Sequence, residues 1–551
     1  MTTPRPKAVV PYFTDGLGAN DPPNPAKLSS ADAAQGHARE DRRTRLEGPM
    51  KGQSLQFLKV ATFVGFALLL VLPIWSVKYP PLTDYPNHLA RAFILHHLND
   101  PSYQFGRYYA ADWGPNPYFL ADFLTQVFQR FVGIYAAGRL LLTLCILSLP
   151  LSVAFFLRRA NRGSEYLSLW AFVVAYNPNF LMGFMSFELS ISLCFVVVGV
   201  WLDYMHTNQE KYWLLTLVLT TLLFLTHLGG FAMAGVILLL YTVLISGFGR
   251  RLLKTVLVFS PGAVLFLHAK LHGWTGRGLD YSGWAAIAKL HTMLVPFQEY
   301  TLAVKYITIL GILITVAYFL WRRKYLRIQY VWIAVVVAIV TVHWIVPPKM
   351  YGDVAFIDYR FCIFAFLCSL AIPDFRGPRT LPIVLATAIF VIHIFQTGFY
   401  FASEQTHLSN IAKTFQYIPP NSLVLAYTAK GSVSWEKSDD LHFWGYGVIE
   451  RGWITPRLFH QRALQPLQLR VPMYSDDDPL GEKLLKGEYT IDLVGKNYEY
   501  VWASNVSYLD PYLEKIADPL VSQGNLWIFR SKSFSGHPNS STEDHLKTGY
   551  E

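Results

Sequence analysis

Long apolar blocks separated by short polar connectors run through the chain from residue 57 to residue 401. Most blocks approach the ~20 residues that a helix needs to cross the hydrocarbon core of a bilayer. This pattern predicts about 11 membrane spans, of which those at 166–181, 212–227 and 361–373 are short. The predicted spans are residues 57–77, 135–157, 166–181, 184–204, 212–227, 229–248, 254–270, 303–321, 330–346, 361–373 and 381–401.

The two ends of the chain have a different pattern. Residues 1–52 are rich in Pro, Gly, Ala, Asp and Arg without a hydrophobic period, which predicts a disordered cytoplasmic tail. Residues 53–401 form the predicted transmembrane domain, and residues 402–551 are polar with short β-prone runs. These runs are Ser422–Tyr427, Tyr498–Ala503 and Asn525–Arg530. Helical or loop stretches such as Leu509–Leu520 separate them, so this region is predicted to be an extracytoplasmic α/β domain.

The fold class predicted from this organisation is therefore a predominantly α, polytopic transmembrane helical bundle with a C-terminal extracytoplasmic α/β domain. Basic side chains concentrate in four connectors, which are expected to be cytoplasmic. They are Arg158, Arg159 and Arg162; Arg250, Arg251 and Lys254; Arg322, Arg323, Lys324 and Arg327; and Arg376 and Arg379. With the N-terminus in the cytoplasm, all four connectors fall on the inner side. The loops 78–134, 271–302 and 347–360 are then external, and the C-terminal domain is expected to lie outside the cytoplasm as well.

Composition supports a membrane protein. Hydrophobic residues make up 52% of the 551 residues and charged residues 15%, against roughly 25% charged in soluble proteins. These values exclude a disordered chain and argue against an ordinary soluble enzyme. The net charge of +10 follows from the basic connectors, so no nucleic-acid partner is inferred. The four cysteines lie in apolar blocks and form no CxxC pair, which indicates neither a zinc site nor a disulfide framework.

The first external loop carries the sharpest candidate for chemistry. Asp84 follows the first predicted span by seven residues, so its carboxylate lies at the membrane surface, within reach of a lipid headgroup and a soluble acceptor. A helix is predicted to start just after Asp84, with Leu89, Phe93, Ile94 and His97 along one face at helical spacing. Two interpretations remain open, since Asp84 could cap this helix or act as a base. Asp112 and Asp122 are further carboxylates of the same loop.

Arg360 is predicted to enter the tenth span from the external side. An ionisable group at such a depth is costly and indicates function by default. A guanidinium there suits a phosphate, because its planar fork binds two oxygens at once. The alternative is a structural ion pair with Asp358 or Asp353. Lys349 is a candidate for a second positive charge.

Several other polar groups map to the external ends of predicted spans. Glu188, His227 and Lys270 lie there together with Asp84 and Arg360. A single buried histidine is more often a packing residue than a ligand. As a set, however, these groups predict one outward-facing polar cavity.

This organisation resembles the GT-C superfamily of polytopic glycosyltransferases. The likeness rests on the many spans, the early Asp of a long first external loop, the Arg of a late span and the external C-terminal domain. Its motifs are the runs Thr83–His88 and Asp358–Arg360, the first of which is similar to the Asp-x-Pro-Asn-His loop of bacterial GT-C-like proteins. Some members have an Asp-Glu or Glu-x-Asp pair, whereas Tyr85 follows Asp84 here. No metal ligand is therefore assigned, and a divalent metal is possible but not supported.

The resemblance implies an inverting hexosyl- or pentosyltransferase that takes a sugar from a polyprenyl-phosphate donor in the membrane. Asp84 would be the general base, and Arg360, Lys349 and Lys270 would bind the donor phosphate. The remaining candidates for substrate binding are His88, Arg91, Asp112, Glu188, His227, Asp358 and Tyr359. The implied acceptor is an extracytoplasmic glycan, lipid or protein.

Other function classes fit parts of the same pattern. A transporter or lipid flippase would need polar residues near the bilayer midplane and broken helices in paired positions. A noncatalytic protein that binds lipid-linked sugar would keep the cavity without the reaction. A phosphotransferase acting on lipid headgroups would want a metal or a Ser/Thr nucleophile, and neither is evident in the sequence. Replacement of Asp84 by Asn distinguishes the glycosyltransferase from the first two.

Overall fold

A computed structural model describes the chain in eleven segments. They are residues 62–161, 163–271, 277–281, 285–297, 301–351, 354–355, 357–428, 441–460, 463–470, 498–504 and 517–534. The chain divides into two compact units, residues 1–65 and 66–551. The second unit contains every contact described below. The predicted tail at residues 1–52 and the residue Asp353 lie outside the described residues.

Most of the described chain is α-helical. In chain order the α-helices are α1 (Thr62–Trp75), α2 (Tyr85–His96), α3 (Phe105–Tyr108), α4 (Phe119–Gln129), α5 (Ile134–Ala160), α6 (Leu169–Val173), α7 (Pro178–Leu181), α8 (Met185–Thr207), α9 (Glu210–Thr226), α10 (Leu228–Ser246), α11 (Arg250–Val258), α12 (Ser260–Leu271), α13 (Ala286–Thr292), α14 (Leu302–Trp321), α15 (Tyr330–Ile345), α16 (Cys362–Ser369), α17 (Thr380–Lys413) and α18 (Gly445–Arg451). Short 3₁₀ helices are Glu165–Ser168, Val295–Phe297, Arg323–Tyr325, Asp358–Arg360 and Thr414–Tyr417.

The strands are short and form four small sheets within the described residues. They are β1 (Tyr109–Ala111), β2 (Arg277–Asp280), β3 (Leu326–Ile328), β4 (Lys349–Tyr351), β5 (Val354–Ala355), β6 (Pro373–Phe375), β7 (Val424–Thr428), β8 (Leu467–Leu469), β9 (Tyr500–Ser504), β10 (Ala517–Gln523) and β11 (Leu526–Ser531). The largest sheet has the order β10-β11-β9-β7, with β7 parallel to β9 and the other pairs antiparallel. The predicted α-helical bundle with a strand-containing C-terminal region is confirmed.

Five described helices are long and apolar enough to cross a membrane: α5, α8, α10, α14 and α17. The helices α11 and α12 meet at a bend of 41° and could together form a sixth span. Helix α9 has 17 residues, and α1 and α15 are also shorter apolar helices. The chain is a multi-pass membrane protein, whereas the count of 11 spans stays a prediction.

Two of the short predicted spans are not continuous helices. Residues 166–181 are divided among a 3₁₀ turn, α6 and α7. Pro178 explains the second break, because the residue before a proline avoids the helical conformation, and Asn177 is extended at φ −64° and ψ 164°. Helix α16 spans 8 residues, or about 12 Å, which is well short of a bilayer core.

Helix α8 is the centre of the bundle. Of its most apolar stretch, 89% is buried inside the protein, and it packs against α5, α9 and α10. At Gly199 the ring of Phe155 on α5 occupies the space that a Cβ would need. Helix α8 is therefore closely packed against its neighbours, and its N-terminal turn carries Phe187 and Glu188.

The C-terminal region contains the three predicted strands, as β7, β9 and β11. One part of the prediction is wrong, because Ala517–Leu520 belongs to strand β10 rather than to a helix or loop. Its antiparallel pairing with β11 supplies the hydrogen bonds that local sequence does not reveal. The remainder of Leu509–Leu520 lies outside the described residues.

Segments beyond α17 are attached at three places to the loop 78–134, which the sequence predicts to be external. Strand β8 pairs with β1 in that loop. Helix α18 packs on α2. Glu450 on α18 accepts hydrogen bonds from Lys78 at 3.0 Å, from Tyr79 at 2.6 Å and from Tyr135 at 2.7 Å. Side chains from residues 441–460 can therefore reach the start of α2.

Candidate functional site

Asp84 lies immediately before α2, in the N-cap position, and Pro86 is in the first turn. Its carboxylate makes no capping hydrogen bond to the helix. Instead, Oδ1 lies 3.4 Å from Nε2 of His442, and the Asp84 side chain remains 18% exposed. The prediction that Asp84 caps the helix is therefore wrong for its side chain, because the carboxylate contacts His442 and not the helix amides.

The turn between α7 and α8 holds the backbone of Asp84. The amides of Thr83 and Asp84 donate to the carbonyl oxygens of Leu181 and Met182 at 3.2 and 2.9 Å. Gly183 follows with φ +83°, and a Cβ there would lie 2.6 Å from the Tyr85 nitrogen. Only glycine combines this positive φ with so close an approach of the neighbouring backbone. The turn before α8 and the Asp84 loop are consequently held together.

Arg360 ends the 3₁₀ helix Asp358–Arg360, close to the same turn. Its guanidinium lies over the ring of Phe184 at 4.5 Å and over that of Phe187 at 5.6 Å. Burial lowers the pKa of Arg360, while the nearby Tyr118 and Asp84 act to raise it. The charge of Asp84 is thus near enough to favour the charged form of Arg360, while a shared function of the two groups stays a prediction.

Asp358 is not the partner of Arg360. Its Oδ2 lies 3.0 Å from Nζ of Lys289, and the two side chains are 4% and 1% exposed. The same ammonium donates to the carbonyl oxygens of His343 and Val346 at 3.1 and 2.7 Å. Because Lys289 neutralises Asp358, the alternative of a structural Arg360–Asp358 pair is wrong. Nε of Arg360 has no hydrogen-bond partner among the described residues.

His227 stands next to Arg360 at the start of α10. Its Nδ1 accepts a hydrogen bond from the amide of Gly229 at 2.9 Å, so the neutral ring carries its proton on Nε2. That Nε2 lies 3.4 Å from Nη1 of Arg360, and neither group can then accept from the other. Two donors side by side provide a place for an anionic oxygen. The ring of Tyr118 packs on His227 at 5.0 Å.

His88 and Arg91 occupy the buried side of α2. Arg91 is 1% exposed and forms a bidentate ion pair with Asp122 of α4, with nitrogen–oxygen distances of 2.9 to 3.1 Å. Its Nη2 also lies 3.1 Å from Nδ1 of His88. Burial, the Arg91 charge and His442 hold the pKa of His88 well below its usual value. Arg91 is thus engaged in structure beside the site.

The other predicted site residues have diverse positions. Glu188 is buried beside Phe187, and its Oε1 has no hydrogen-bond partner among the described residues. Asp112 is exposed and accepts from the Gly114 amide at 3.1 Å. Lys270 is exposed in the last turn of α12, and Tyr359 is half-buried. The side chain of Lys349 lies outside the described residues, although its backbone is in β4.

Sequence reasoning missed four residues that shape this cluster: Tyr118, Phe184, Lys289 and His442. Tyr118 and Phe184 are aromatic residues in aromatic-rich segments, where the pattern distinguishes none from its neighbours. His442 and Lys289 have no local signal, because their partners are far away in the chain. Among the described residues, no three His, Cys, Asp or Glu side chains are grouped to hold a metal ion.

Comparison with solved structures identifies this architecture. ArnT from Cupriavidus metallidurans in the apo state aligns with a TM-score of 0.55 and 13% identity, over 88% of this chain and all of ArnT. The chain has the ArnT fold. ArnT bound to undecaprenyl phosphate aligns with a TM-score of 0.53 and 13% identity, over 87% of this chain and 99% of ArnT. The GT-C fold expected from the sequence is confirmed. No family model and no curated protein matches the sequence.

Proposed function

We propose that the protein is a membrane glycosyltransferase that moves a sugar from a polyprenyl-phosphate donor to an extracytoplasmic acceptor. The observation that carries the proposal is that a partly exposed carboxylate, Asp84, lies near the guanidinium of Arg360. Asp84 and Arg360 are far apart in the chain, yet the charge of Asp84 contributes to raising the pKa of Arg360. The ArnT fold supports the donor class, because an ArnT structure is bound to undecaprenyl phosphate.

In this proposal the donor phosphate lies between Arg360 and His227. The guanidinium offers Nη1 and the unpartnered Nε, and His227 offers Nε2–H beside it. Charge develops on the phosphate as the bond to the sugar breaks. Fixed donors in a site of low water content stabilise such charge strongly. The rings of Phe184 and Phe187 pack against the guanidinium and hold it in place.

Asp84 acts as the general base and accepts the proton of the acceptor hydroxyl. The oxygen of that hydroxyl attacks the anomeric carbon from the face opposite the phosphate, which inverts the configuration. General-base assistance contributes typically 10²–10⁴-fold to the rate. Arg91 and His88 support helix α2, which follows Asp84, and Asp122 neutralises Arg91.

The protein would lie in the bacterial inner membrane, with its N-terminus in the cytoplasm and its C-terminal region outside. Lys270, Lys349, Asp112, Glu188 and Tyr359 are candidates for further substrate contacts. The acceptor would be a glycan, lipid or protein of the envelope, and no step requires a metal.

Purified protein given radiolabelled undecaprenyl-phosphate hexoses and pentoses, with envelope fractions as acceptors, tests the proposal. Asp84→Asn should lower transfer by about 10²-fold or more, while undecaprenyl phosphate binding persists. Asp100→Asn is the matched control, because Asp100 pairs with His97 away from the cluster. Wild-type transfer by Asp84→Asn would overturn the role of the base. Movement of labelled donor across a vesicle without any transfer would instead identify a flippase.

A further inference from the structure

His442 contacts the base from the segment that follows the last predicted span. Its Nε2 lies 3.4 Å from Oδ1 of Asp84, and the two side chains are 19% and 18% exposed. We infer that His442 is a positioning residue, which orients the carboxylate of Asp84 through the contact between its Nε2 and Oδ1. The inference rests on the proposed function, in which Asp84 takes a proton from the acceptor.

Asn87 determines which nitrogen of His442 carries the proton. Oδ1 of Asn87 accepts from the Phe459 amide at 3.0 Å, and Nδ2 donates to the Arg457 carbonyl at 3.1 Å. The orientation of this buried amide is therefore defined. Its Nδ2 faces Nδ1 of His442 at 3.5 Å. Because an amide nitrogen only donates, Nδ1 is the acceptor and the proton of the neutral ring resides on Nε2.

The backbone near His442 has little freedom to shift. Gly445 begins α18 directly against the first turn of α2, and a Cβ at that position would lie 2.7 Å from the carbonyl carbon of Pro86. The imidazole itself packs on the ring of Phe459 at 5.3 Å and on that of Trp444 at 5.8 Å. Asp84 and His442 are thus placed by the same contact between α2 and α18.

This arrangement has a direct chemical consequence. With Oδ1 held by His442, Oδ2 of Asp84 is the oxygen that faces the acceptor hydroxyl. During transfer the bond between the anomeric carbon and the phosphate oxygen breaks, and the bond to the acceptor oxygen forms. The acceptor proton passes to Asp84, and His442 keeps its own proton throughout. Holding a reacting group in its productive orientation removes a large entropic part of the barrier.

The test compares His442→Phe, which keeps a ring of similar size without a donor, with His442→Gln, whose amide can donate to Asp84. We expect His442→Phe to lower kcat about tenfold or more with an unchanged KM for the lipid donor. His442→Gln should recover most of kcat. His407→Phe on the exposed face of α17 is the matched control and should retain wild-type kcat. Thermal unfolding of each variant reports folding separately.

Equal losses in His442→Phe and His442→Gln, or a change in KM alone, would overturn the positioning role. ¹⁵N NMR of histidine-labelled protein provides a readout that needs no turnover. Asp84→Asn should shift the Nε2 resonance of His442, whose assignment comes from its absence in His442→Gln; an unchanged resonance would refute the contact. If wild-type protein transfers no sugar from any donor, the proposed function fails, while the NMR result still decides the contact.

Discussion

At the scale of single residues, Arg360 illustrates how neighbours determine what a charged group can bind. Its nearest acid along the chain, Asp358, is taken by Lys289. The guanidinium instead rests on two phenylalanine rings beside a histidine that also donates. A charge in such surroundings is stabilised best by an anion that enters the site.

Arg360→Lys should weaken the affinity for undecaprenyl phosphate about tenfold, which corresponds to ~1.4 kcal/mol. The lysine keeps a positive charge but lacks the planar fork that binds two oxygens. Arg360→Gln should weaken binding further, because it also removes the charge. Titration of the purified variants with undecaprenyl phosphate measures both effects. Arg376→Gln, at an exposed position with 74% side-chain exposure, serves as control. Equal affinity of wild type and Arg360→Gln would contradict the phosphate role.

His88 is expected to make stability depend on pH. Its pKa in the folded protein is held well below the usual value by burial, Arg91 and His442. Below about pH 6.5 the His88 ring is protonated in the unfolded chain but stays neutral in the native protein. The free energy of unfolding should therefore fall as the pH drops from about 7 to about 5. Unfolding midpoints in detergent should decline less steeply for His88→Asn than for wild type, and parallel curves would refute this assignment.

At the scale of elements, the buried ion pair between Arg91 and Asp122 joins α2 to α4. The two side chains are 1% and 4% exposed. Asp122→Asn leaves Arg91 charged and without its partner. The free energy of unfolding should therefore fall by about 3–5 kcal/mol. Glu165→Gln is the matched control, because Glu165 pairs with Arg158 at the exposed surface, where such pairs contribute about 0–1 kcal/mol. Equal destabilisation by the two changes in chemical unfolding would contradict the buried-pair argument.

Hydrophobic periodicity predicted an element well where the residues of that segment alone determine its secondary structure. The apolar blocks at 135–157 and 184–204 correspond to α5 and α8, and the run Ser422–Tyr427 corresponds to β7. The prediction of one membrane span at 166–181 was wrong, because these apolar residues are buried in the protein without forming one continuous helix. Strand β10 was missed because it depends on its antiparallel partner β11.

At the scale of the whole molecule, the distribution of basic connectors predicts that the candidate site opens outside the cytoplasm. Single cysteines at Asp112 and Arg323, both exposed, test this orientation. The four native cysteines are buried and should give little background. In intact cells, after opening of the outer membrane, an impermeant maleimide should label Asp112→Cys but not Arg323→Cys. The reverse pattern would show that the predicted topology is inverted.

The chain's local pattern sufficed for the membrane-embedded helical class, for the strand-containing C-terminal region, and for Asp84 and Arg360 as candidates. Those features follow from hydrophobic periodicity and from the cost of a charge near lipid, which act over a few neighbouring residues. The partners of these charges required the folded protein. Lys289 neutralises Asp358, Asp122 neutralises Arg91, and His442 reaches Asp84. Ion pairing depends on distances of a few ångströms between segments far apart in the chain, and no local pattern encodes them.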